Sequence, residues 1–265
     1  MTEYTLNELM AVNVARQLHD DEMGFIGVGT GGRAFTVAVG LPIVAARLAQ
    51  LTHAPNFTIQ IGTIISPDLE NIPKVFTENH ITTWPTMARV RADDNLDMFV
   101  KGKVDVGFVS GPQIDQYGNI NITVIGDYKK PKVRLVGCLA LPEHLAFARR
   151  AFVITDHNAR TFVENVHFVT GVGWQANGKS REEYNLPGGG PVYVFTDLGV
   201  FDFNGEGHRM QALTLHPGVT PDMVQEKTGF PVIIPPNVPT SILPTEEEIE
   251  LIRTKIDPEN ILLKY

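Results

Sequence analysis

Residues 104–121 read VDVGFVSGPQIDQYGNIN, a short apolar run followed by a polar segment that is rich in turn-forming residues. Residues 104–110 are typical of a buried strand, and residues 111–121 supply the glycine, proline, aspartate and asparagine that turns favour. A polar loop at the end of a buried strand is the usual ligand position in an open α/β sheet. The alternative is a tight turn in which the Asn119 and Asn121 side chains bond to their own backbone.

Helix-like and strand-like segments alternate along the rest of the chain. Thr5 and Glu8 form a capping box that predicts an opening helix, residues 41–51 have helical character, and residues 58–65 (TIQIGTII) predict one extended run. Helices that begin after Thr220 and Thr245 close the chain. Further strands are predicted at residues 151–155, 163–170, 191–197, 199–203 and 210–215. This order predicts an α/β protein with an open, mostly parallel sheet flanked by helices, in a single domain over residues 1–265.

Composition excludes several classes of function. The chain has 22 Lys and Arg against 30 Asp and Glu, so its net charge of −8 disfavours nucleic acid or an anionic membrane as the main partner. A single cysteine, Cys138, excludes an intrachain disulfide and a cysteine-built zinc site, and we expect it to be a small buried residue. The most apolar stretch, residues 34–46, is shorter than the roughly 20 residues of a membrane span. No signal-peptide pattern begins the chain, so we expect a cytoplasmic protein without a membrane partner.

Gly27, Gly29 and Gly32 match G-x-G-x-x-G after a strand-like run. A dinucleotide site also needs an acidic residue about 20 positions later, and no Asp or Glu occurs between Gly32 and Asp68. The turn therefore favours some other anionic or thioester ligand. The eight histidines show no metal-binding spacing, so we expect no metal site.

Two further clusters each have two interpretations. Lys129, Lys130, Lys132 and Arg134 form a basic cluster, which is either a solvated loop or a contact for a phosphorylated ligand or an acidic partner. Glu143 and His144 are an adjacent acid and base. Either His144 acts as a general base, or Glu143 lies in the first turn of a helix and His144 is exposed.

Residues 111–134 (GPQIDQYGNINITVIGDYKKPKVR) resemble a stretch of the β subunits of glutaconate CoA-transferases. The resemblance extends to APNF at 54–57, to Trp84-Pro85, to VTGVGW at 169–174, and to residues 194–203, 216–230 and 251–260, and so covers nearly the whole chain. The second half is most similar to the β subunit of the heteromeric ring-cleaving hydrolase of steroid catabolism. A decarboxylase acting on methylglutaconyl-CoA belongs to the same group, the family I CoA transferases.

The resemblance implies an open α/β fold, an α-type partner subunit in an α2β2 or similar assembly, and an acyl-CoA substrate at the subunit interface. Coenzyme A enters as part of the substrate, and no bound cofactor is implied. The residues implied in substrate or CoA binding are Gly29, Thr30, Gly31, Gln60, Gly62, Thr63, Gly111, Gln113, Gly118, Asn119 and Asn121.

The sequence departs from the transferase pattern in three places. The β-subunit glutamate that attacks the thioester aligns, counting from Ala54-Pro55, with Gly62, and no acidic residue follows until Asp68. The family's glycine-rich loop corresponds to residues 136–144 and has lost most of its glycines. The first turn carries about nine extra residues, GGRAFTVAV at 31–39.

Three functions remain open. The first is a diverged enzyme that performs hydrolytic C–C cleavage or decarboxylation with a carboxylate supplied by the α subunit. The second is an ordinary CoA transferase. It requires Glu70, eight positions beyond Gly62, or Glu78 as the nucleophile, or one from the α subunit. The third is a non-catalytic structural partner. No catalytic residue is assigned to this chain, and the candidates are Glu143, His144 and Glu70.

Overall fold

The computed structural model describes residues 3–28, 31–74, 78–138 and 140–265. Its backbone contacts divide the chain into two compact units, Met1–Phe108 with Ile242–Tyr265, and Val109–Ser241. The single domain expected over residues 1–265 stays a prediction.

The first unit has a five-stranded sheet in the order β5-β1-β2-β3-β4. β1 pairs in parallel with β2 and β5, whereas β2, β3 and β4 follow one another in antiparallel hairpins. A continuous helix leads from α2 through a π-helical segment, π1, into α3. The elements are α1 (Leu6–Ala15), β1 (Met23–Ile26), α2 (Arg33–Phe35), π1 (Thr36–Gly40), α3 (Leu41–Thr52), β2 (Thr58–Ile61), β3 (Ile64–Pro67), α4 (Glu78–Thr83), β4 (Thr86–Arg89), α5 (Ala92–Val100) and β5 (Val106–Val109). Two later elements, α8 (Glu246–Leu251) and a second π-helical segment, π2 (Ile252–Ile256), complete the unit.

The capping box at the first helix is confirmed, since the Thr5 hydroxyl accepts from the Glu8 N–H and the Glu8 carboxylate accepts from the Thr5 N–H. The extended run predicted over residues 58–65 is wrong in one respect, because it consists of two strands joined at Gly62-Thr63. Among the described residues one helix, Arg33–Thr52, is long and apolar enough to cross a membrane, but 72% of its apolar window is buried in the protein. We therefore describe it as a core helix.

The second unit has a four-stranded sheet in the order β10-β13-β14-β15. β10 and β13 are parallel, and β14 and β15 extend the sheet in antiparallel fashion. Three small hairpins, β6–β7, β8–β9 and β11–β12, stand beside it. The elements are β6 (Gln113–Ile114), β7 (Ile120–Asn121), β8 (Val124–Gly126), β9 (Pro131–Arg134), α6 (Leu141–Phe147), β10 (Arg150–Ile154), β11 (Gln175–Ala176), β12 (Lys179–Ser180), β13 (Pro191–Phe195), β14 (Gly199–Asp202), a 3-10 turn (Glu206–His208), β15 (Gln211–Leu215) and α7 (Pro221–Glu226).

The strand predicted over residues 163–170 is wrong, since this stretch is irregular. Its polar groups bond to the neighbouring hairpins: the Thr170 hydroxyl accepts from the Ile122 N–H at 3.0 Å, and the His167 N–H donates to the Gln113 side chain at 3.1 Å. These contacts replace a ladder of strand hydrogen bonds. The remaining predicted strands of this half are present within a few residues.

Candidate functional site

A two-residue turn, Gly62-Thr63, joins β2 to β3 where the resemblance places the nucleophilic glutamate of transferases. Gly62 has φ +53°, in the left-handed region that favours glycine, and a Cβ atom there would lie 3.3 Å from Cγ2 of Val28. The Gly62 N–H donates to the Ile26 carbonyl at 3.0 Å. The geometry of the turn therefore accounts for glycine at this position, which offers no side chain for covalent catalysis.

Gln60 supports this turn from the interior of the first unit. It is fully buried, and its Nε2 donates to the Gly62 carbonyl at 3.1 Å and to Oδ1 of Asn95 at 2.6 Å. Its Oε1 is also buried and has no hydrogen-bond partner in the part of the chain that the structure describes. Because an unpaired buried acceptor costs free energy, a donor that reached this oxygen would be stabilising.

The start of α5 lies next to the same turn, because the Val90 N–H donates to the Thr63 carbonyl at 2.9 Å. The first turn of α5 carries two acids that sequence reasoning missed, Asp93 and Asp94. An Asp94 oxygen accepts from the Arg91 N–H at 3.0 Å, and the Arg91 guanidinium bonds to Asp93 at 3.0 Å and lowers the pKa of that carboxyl. Both acids thus stabilise the helix N-terminus. The signal that could have drawn attention to them is an acidic pair directly after an edge strand.

Glu70 lies at the other end of the β2–β3 hairpin from Gly62. It follows the end of β3, and its exposed carboxylate is 3.9 Å from an Nη atom of Arg47. Both residues line a cleft of about 430 Å³ together with the start of β2. Four strand residues at about 3.3 Å each separate the two ends of the hairpin by about 13 Å. The structure therefore does not bring Glu70 to the Gly62 turn.

In the second unit, the loop between β6 and β7 is folded around the Asp115 side chain. Oδ1 accepts from the N–H groups of Tyr117 and Asn119 at 3.0 and 3.1 Å, and Oδ2 accepts from Nδ2 of Asn119 at 2.8 Å. Burial raises the pKa of Asp115, while these hydrogen bonds oppose the rise. Gly118 has φ +75°, which this tight turn requires. The Asp115 carboxylate therefore builds the loop. The Asn119 side chain bonds to Asp115 and also, outside the loop, to the Gly173 N–H at 2.8 Å and the Gln175 carbonyl at 2.6 Å, and not to its own backbone.

Gln113 and Asn121 are buried and face each other across the β6–β7 pair. Nδ2 of Asn121 donates to Oε1 of Gln113 at 2.7 Å, and that oxygen also accepts from the His167 N–H at 3.1 Å. The exposed ring of His167 accepts at Nδ1 from the Gly126 N–H at 3.1 Å. A backbone N–H can only donate, so the proton of the neutral ring is on Nε2. His167 is a polar group that sequence reasoning considered only as a metal ligand.

The resemblance also implies Gly29, Thr30, Gly31 and Gly111 in CoA binding. Gly29 and Thr30 lie outside the described residues, and Gly31 is exposed. Gly111 fits closely against β7, where a Cβ atom would lie 2.4 Å from Cγ2 of Ile120. Within the described ranges, no group of three or more His, Cys, Asp or Glu side chains could hold a metal ion.

A family profile described as Coenzyme A transferase matches residues 7–227. The chain belongs to the coenzyme A transferase family. This match confirms the resemblance to CoA transferases that residues 111–134 indicate.

Named relatives of this CoA transferase family member include transferases and a hydrolase. One subunit of the 3-oxoadipate CoA-transferase of Pseudomonas knackmussii is 35% identical over 256 residues, which are 96% of this chain and 94% of that subunit. The IpdB subunit of the cholesterol ring-cleaving hydrolase of Mycobacterium tuberculosis is 33% identical over 220 residues, which are 82% of this chain and 84% of that subunit.

The fold is that of the family. The crystal structure of glutaconate coenzyme A-transferase from Acidaminococcus fermentans matches with a TM-score of 0.80 and 27% identity, over 100% of this chain and 99% of that chain. This match confirms the α/β fold with a large, mostly parallel sheet flanked by helices. The decarboxylase AibA/AibB shares the fold, with a TM-score of 0.80 and 24% identity, over 97% of this chain and 96% of that chain.

Residues 136–144, which the resemblance aligns with the family's glycine-rich loop, lead into α6. Glu143 lies in the first turn of this helix, as expected. The expectation that His144 is exposed is wrong, because Leu141, His144 and Leu145 share the inward face of the helix at helical spacing and all three are buried. Nδ1 of His144 is 2.5 Å from the Ala140 carbonyl, so this ring nitrogen donates. Cys138 is exposed, contrary to the expected burial.

The basic cluster spans the turn and the second strand of the β8–β9 hairpin. The N–H groups of Lys129 and Lys130 donate to the Asp127 carboxylate at 2.8 and 3.0 Å, which closes the turn. The Tyr128 ring stacks on Phe168 with 5.3 Å between centroids. The side chains of Lys129, Lys130, Lys132 and Arg134 are all solvated.

Proposed function

We propose that this chain is the β-type subunit of a heteromeric enzyme that acts on an acyl-CoA thioester. In this proposal an α-type partner supplies the catalytic carboxylate, and the two subunits assemble as α2β2. The reaction is hydrolytic C–C cleavage or decarboxylation of the acyl group, without a glutamyl-CoA intermediate on this chain.

The Gly62 turn is the observation that carries the proposal. Transfer through an enzyme-bound thioester needs a carboxylate that can reach the thioester carbon. At the turn, Gly62 has a left-handed backbone and little space beside Val28. Glu70 lies at the far end of the hairpin beside Arg47, and Asp94 bonds to the start of its own helix.

Two relatives support a reaction other than CoA transfer. IpdB is named as a subunit of a ring-cleaving hydrolase, and it is 33% identical to this chain. AibA/AibB is named as a decarboxylase and shares the fold. The family fold therefore accommodates such chemistry.

An ordinary CoA transferase is the second candidate, because the relative at 35% identity is named as a transferase subunit. This candidate requires a carboxylate from this chain, at Glu70 or Glu78, or one from the partner. It predicts that Glu70→Ala abolishes turnover if Glu70 is the nucleophile, whereas the first proposal predicts full activity because Glu70 is an exposed residue paired with Arg47.

In the assembled complex, hydroxylamine distinguishes the first candidate from a transferase whose nucleophile is on this chain. Hydroxylamine cleaves a thioester between an enzyme glutamate and CoA and converts the glutamate to an inactive hydroxamate. A transferase therefore loses activity when hydroxylamine and acyl-CoA are present together. We expect no acyl-CoA-dependent inactivation that maps to this chain. Inactivation with a modified glutamate in this chain contradicts the proposal.

A further inference from the structure

The β8–β9 hairpin of the second unit concentrates positive charge on an acidic protein. Residues 127–134 hold four bases and one acid, whereas the whole chain has a net charge of −8. The four bases are the basic cluster described above, and all four are exposed. Like charges at this density repel one another, so an anion that binds among them is attracted by all four.

The protein does not neutralise the basic cluster itself. In the part of the chain that the structure describes, none of the four side chains forms a salt bridge with a carboxylate. The adjacent acid, Asp127, accepts from the backbone N–H groups of Lys129 and Lys130 at 2.8 and 3.0 Å. Its carboxylate therefore closes the turn instead of pairing with a lysine ammonium group.

Arg134 is held in place without an acid. Its guanidinium carbon lies 5.2 Å from the centroid of the Tyr128 ring, and that ring stacks on Phe168. An Nη atom of Arg134 is also 3.5 Å from the Tyr128 carbonyl. A guanidinium that lies over an aromatic ring keeps N–H donors at its edge for other acceptors. Because these donors form a planar fork, they match two oxygens of one phosphate group.

The hairpin is ordered before any ligand binds. The Gly126 N–H donates to Nδ1 of His167 at 3.1 Å, which ties β8 to the neighbouring segment. A Cβ atom at Gly126 would lie 3.4 Å from Cγ of Lys132, so the stem of this lysine packs on the glycine. Lys132 and Arg134 are two residues apart on β9, and side chains at this spacing project from the same face of a strand.

The residue types favour a phosphorylated small molecule over an acidic protein surface. Three of the four bases are lysines, which are depleted in protein interfaces but are common ligands of phosphate. Coenzyme A has a diphosphate and a 3′-phosphate at its nucleotide end, and the 3′-phosphate alone carries about two negative charges at pH 7. Its nucleotide end therefore complements the charge of the cluster.

We propose that the basic cluster binds the phosphate groups at the nucleotide end of the acyl-CoA substrate. Arg134 contacts a phosphate with its braced fork, and the three lysines surround the phosphates with positive charge. The proposal rests on the proposed function, because that function supplies the ligand. It concerns the nucleotide end alone and is independent of the reaction that the acyl group undergoes.

The test removes three positive charges from the hairpin in the complex with the α-type partner. The triple variant carries Lys129→Gln, Lys130→Gln and Lys132→Gln. The matched control removes three other exposed lysines, with Lys101→Gln, Lys103→Gln and Lys179→Gln. Calorimetry gives the dissociation constants for coenzyme A, for dephospho-CoA, which lacks only the 3′-phosphate, and for pantetheine, which lacks the nucleotide end.

We expect the triple variant to bind coenzyme A about tenfold more weakly, the order expected when three exposed charge pairs are lost. The loss for dephospho-CoA should be smaller, since one phosphate is already missing. Pantetheine should bind the triple variant and the wild type equally, and the control should match the wild type for all three ligands. Added salt should narrow the difference between wild type and triple variant for coenzyme A.

Three results overturn the site on the hairpin. One is an unchanged affinity of the triple variant for coenzyme A, and another is an equal loss of affinity for pantetheine. The third is a triple variant that no longer assembles with the α-type partner while the control does, which would make the hairpin a protein interface. A wild-type complex that does not bind coenzyme A contradicts the proposed function and this site together.

Discussion

At Gly62, two separate effects favour glycine. The backbone has φ +53°, and the side chain of Val28 leaves little room for a Cβ atom. Both effects are local, so they act on folding whatever the reaction is. Glycine at this position is thus consistent with a stable hairpin, and under the proposed function this chain has no nucleophile there.

Replacing Gly62 separates the two effects. Gly62→Ala should lower the free energy of unfolding by about 1–2 kcal/mol, because alanine is strained in the left-handed region and contacts Val28. Relative to the number of atoms added, Gly62→Asn should lose less unfolding free energy than Gly62→Ala, because asparagine adopts the left-handed region more readily. Urea denaturation of both variants measures the difference. Equal stability of Gly62→Ala and the wild type would mean that the turn does not require glycine.

His157 shows how burial controls a titratable side chain in the second unit. Its ring lies 4.2 Å from the Phe162 ring, and its nitrogens contact the hydroxyls of Thr228 at 2.8 Å and Thr196 at 3.2 Å. Burial lowers the pKa of His157 to about 3, and the charge of Lys227 acts in the same direction. The imidazole is therefore neutral at pH 7.

Acid should destabilise the protein through His157. The unfolded chain binds a proton near pH 6.5 and the folded chain only near pH 3, so this group's contribution to stability is lost as the pH falls between these values. Between pH 7 and 5 the loss from this group is about 2 kcal/mol. The free energy of unfolding, measured at both pH values for the wild type and His157→Gln, tests this. An equally steep pH dependence in the variant would contradict it.

At the scale of secondary structure, helix caps were predictable because they depend on a few adjacent residues. Thr5, Thr220 and Thr245 each accept a hydrogen bond from the N–H three residues later. The hairpin within residues 58–65 was not predicted. β-branched residues lie on both sides of Gly62, so the stretch has the pattern of one continuous strand. The irregular segment at 163–170 also contains such residues, and its conformation depends on contacts with Gln113 and Ile122, which are distant in sequence.

The contact between π1 and the C-terminal segment at residues 257–265 should not tolerate a side chain at Gly40. Gly40→Ala should lower the free energy of unfolding by about 3 kcal/mol, because a Cβ atom would overlap the Leu262 carbonyl and the backbone must move. Gly31→Ala is the matched control, since a Cβ atom there meets nothing within 4 Å. Thermal unfolding of both variants measures the effect. A Gly40→Ala variant as stable as Gly31→Ala would show that Leu262 does not pack against Gly40 as described.

At the scale of the whole molecule, the family and the α/β fold were predictable because the motif at residues 111–134 and its companions cover most of the chain. The roles of single residues were less predictable. The Asp115 carboxylate bonds within its own loop, the Asn119 side chain also bonds to Gly173 and Gln175, and His144 is buried. None of these outcomes follows from residue type alone. These roles are set by packing between segments that are far apart in sequence.

Assembly with an α-type partner is a prediction about the whole molecule. Co-expressed with such a subunit, this 29.2 kDa chain should purify in a complex with equal numbers of the two chains, two of each in the proposed assembly. Native mass spectrometry measures the stoichiometry. Recovery of this chain only as a monomer or with itself would contradict the proposal.

The mass of this chain after reaction shows whether a glutamate of this chain forms a thioester with coenzyme A. The complex is incubated with an acyl-CoA that it turns over, treated with borohydride to reduce any enzyme thioester, and analysed by intact mass and peptide mapping. We predict an unmodified mass for this chain, with the peptides that contain Gly62 and Glu70 unchanged. A reduced glutamate in this chain would show that it carries the thioester, and the reaction would then be ordinary CoA transfer.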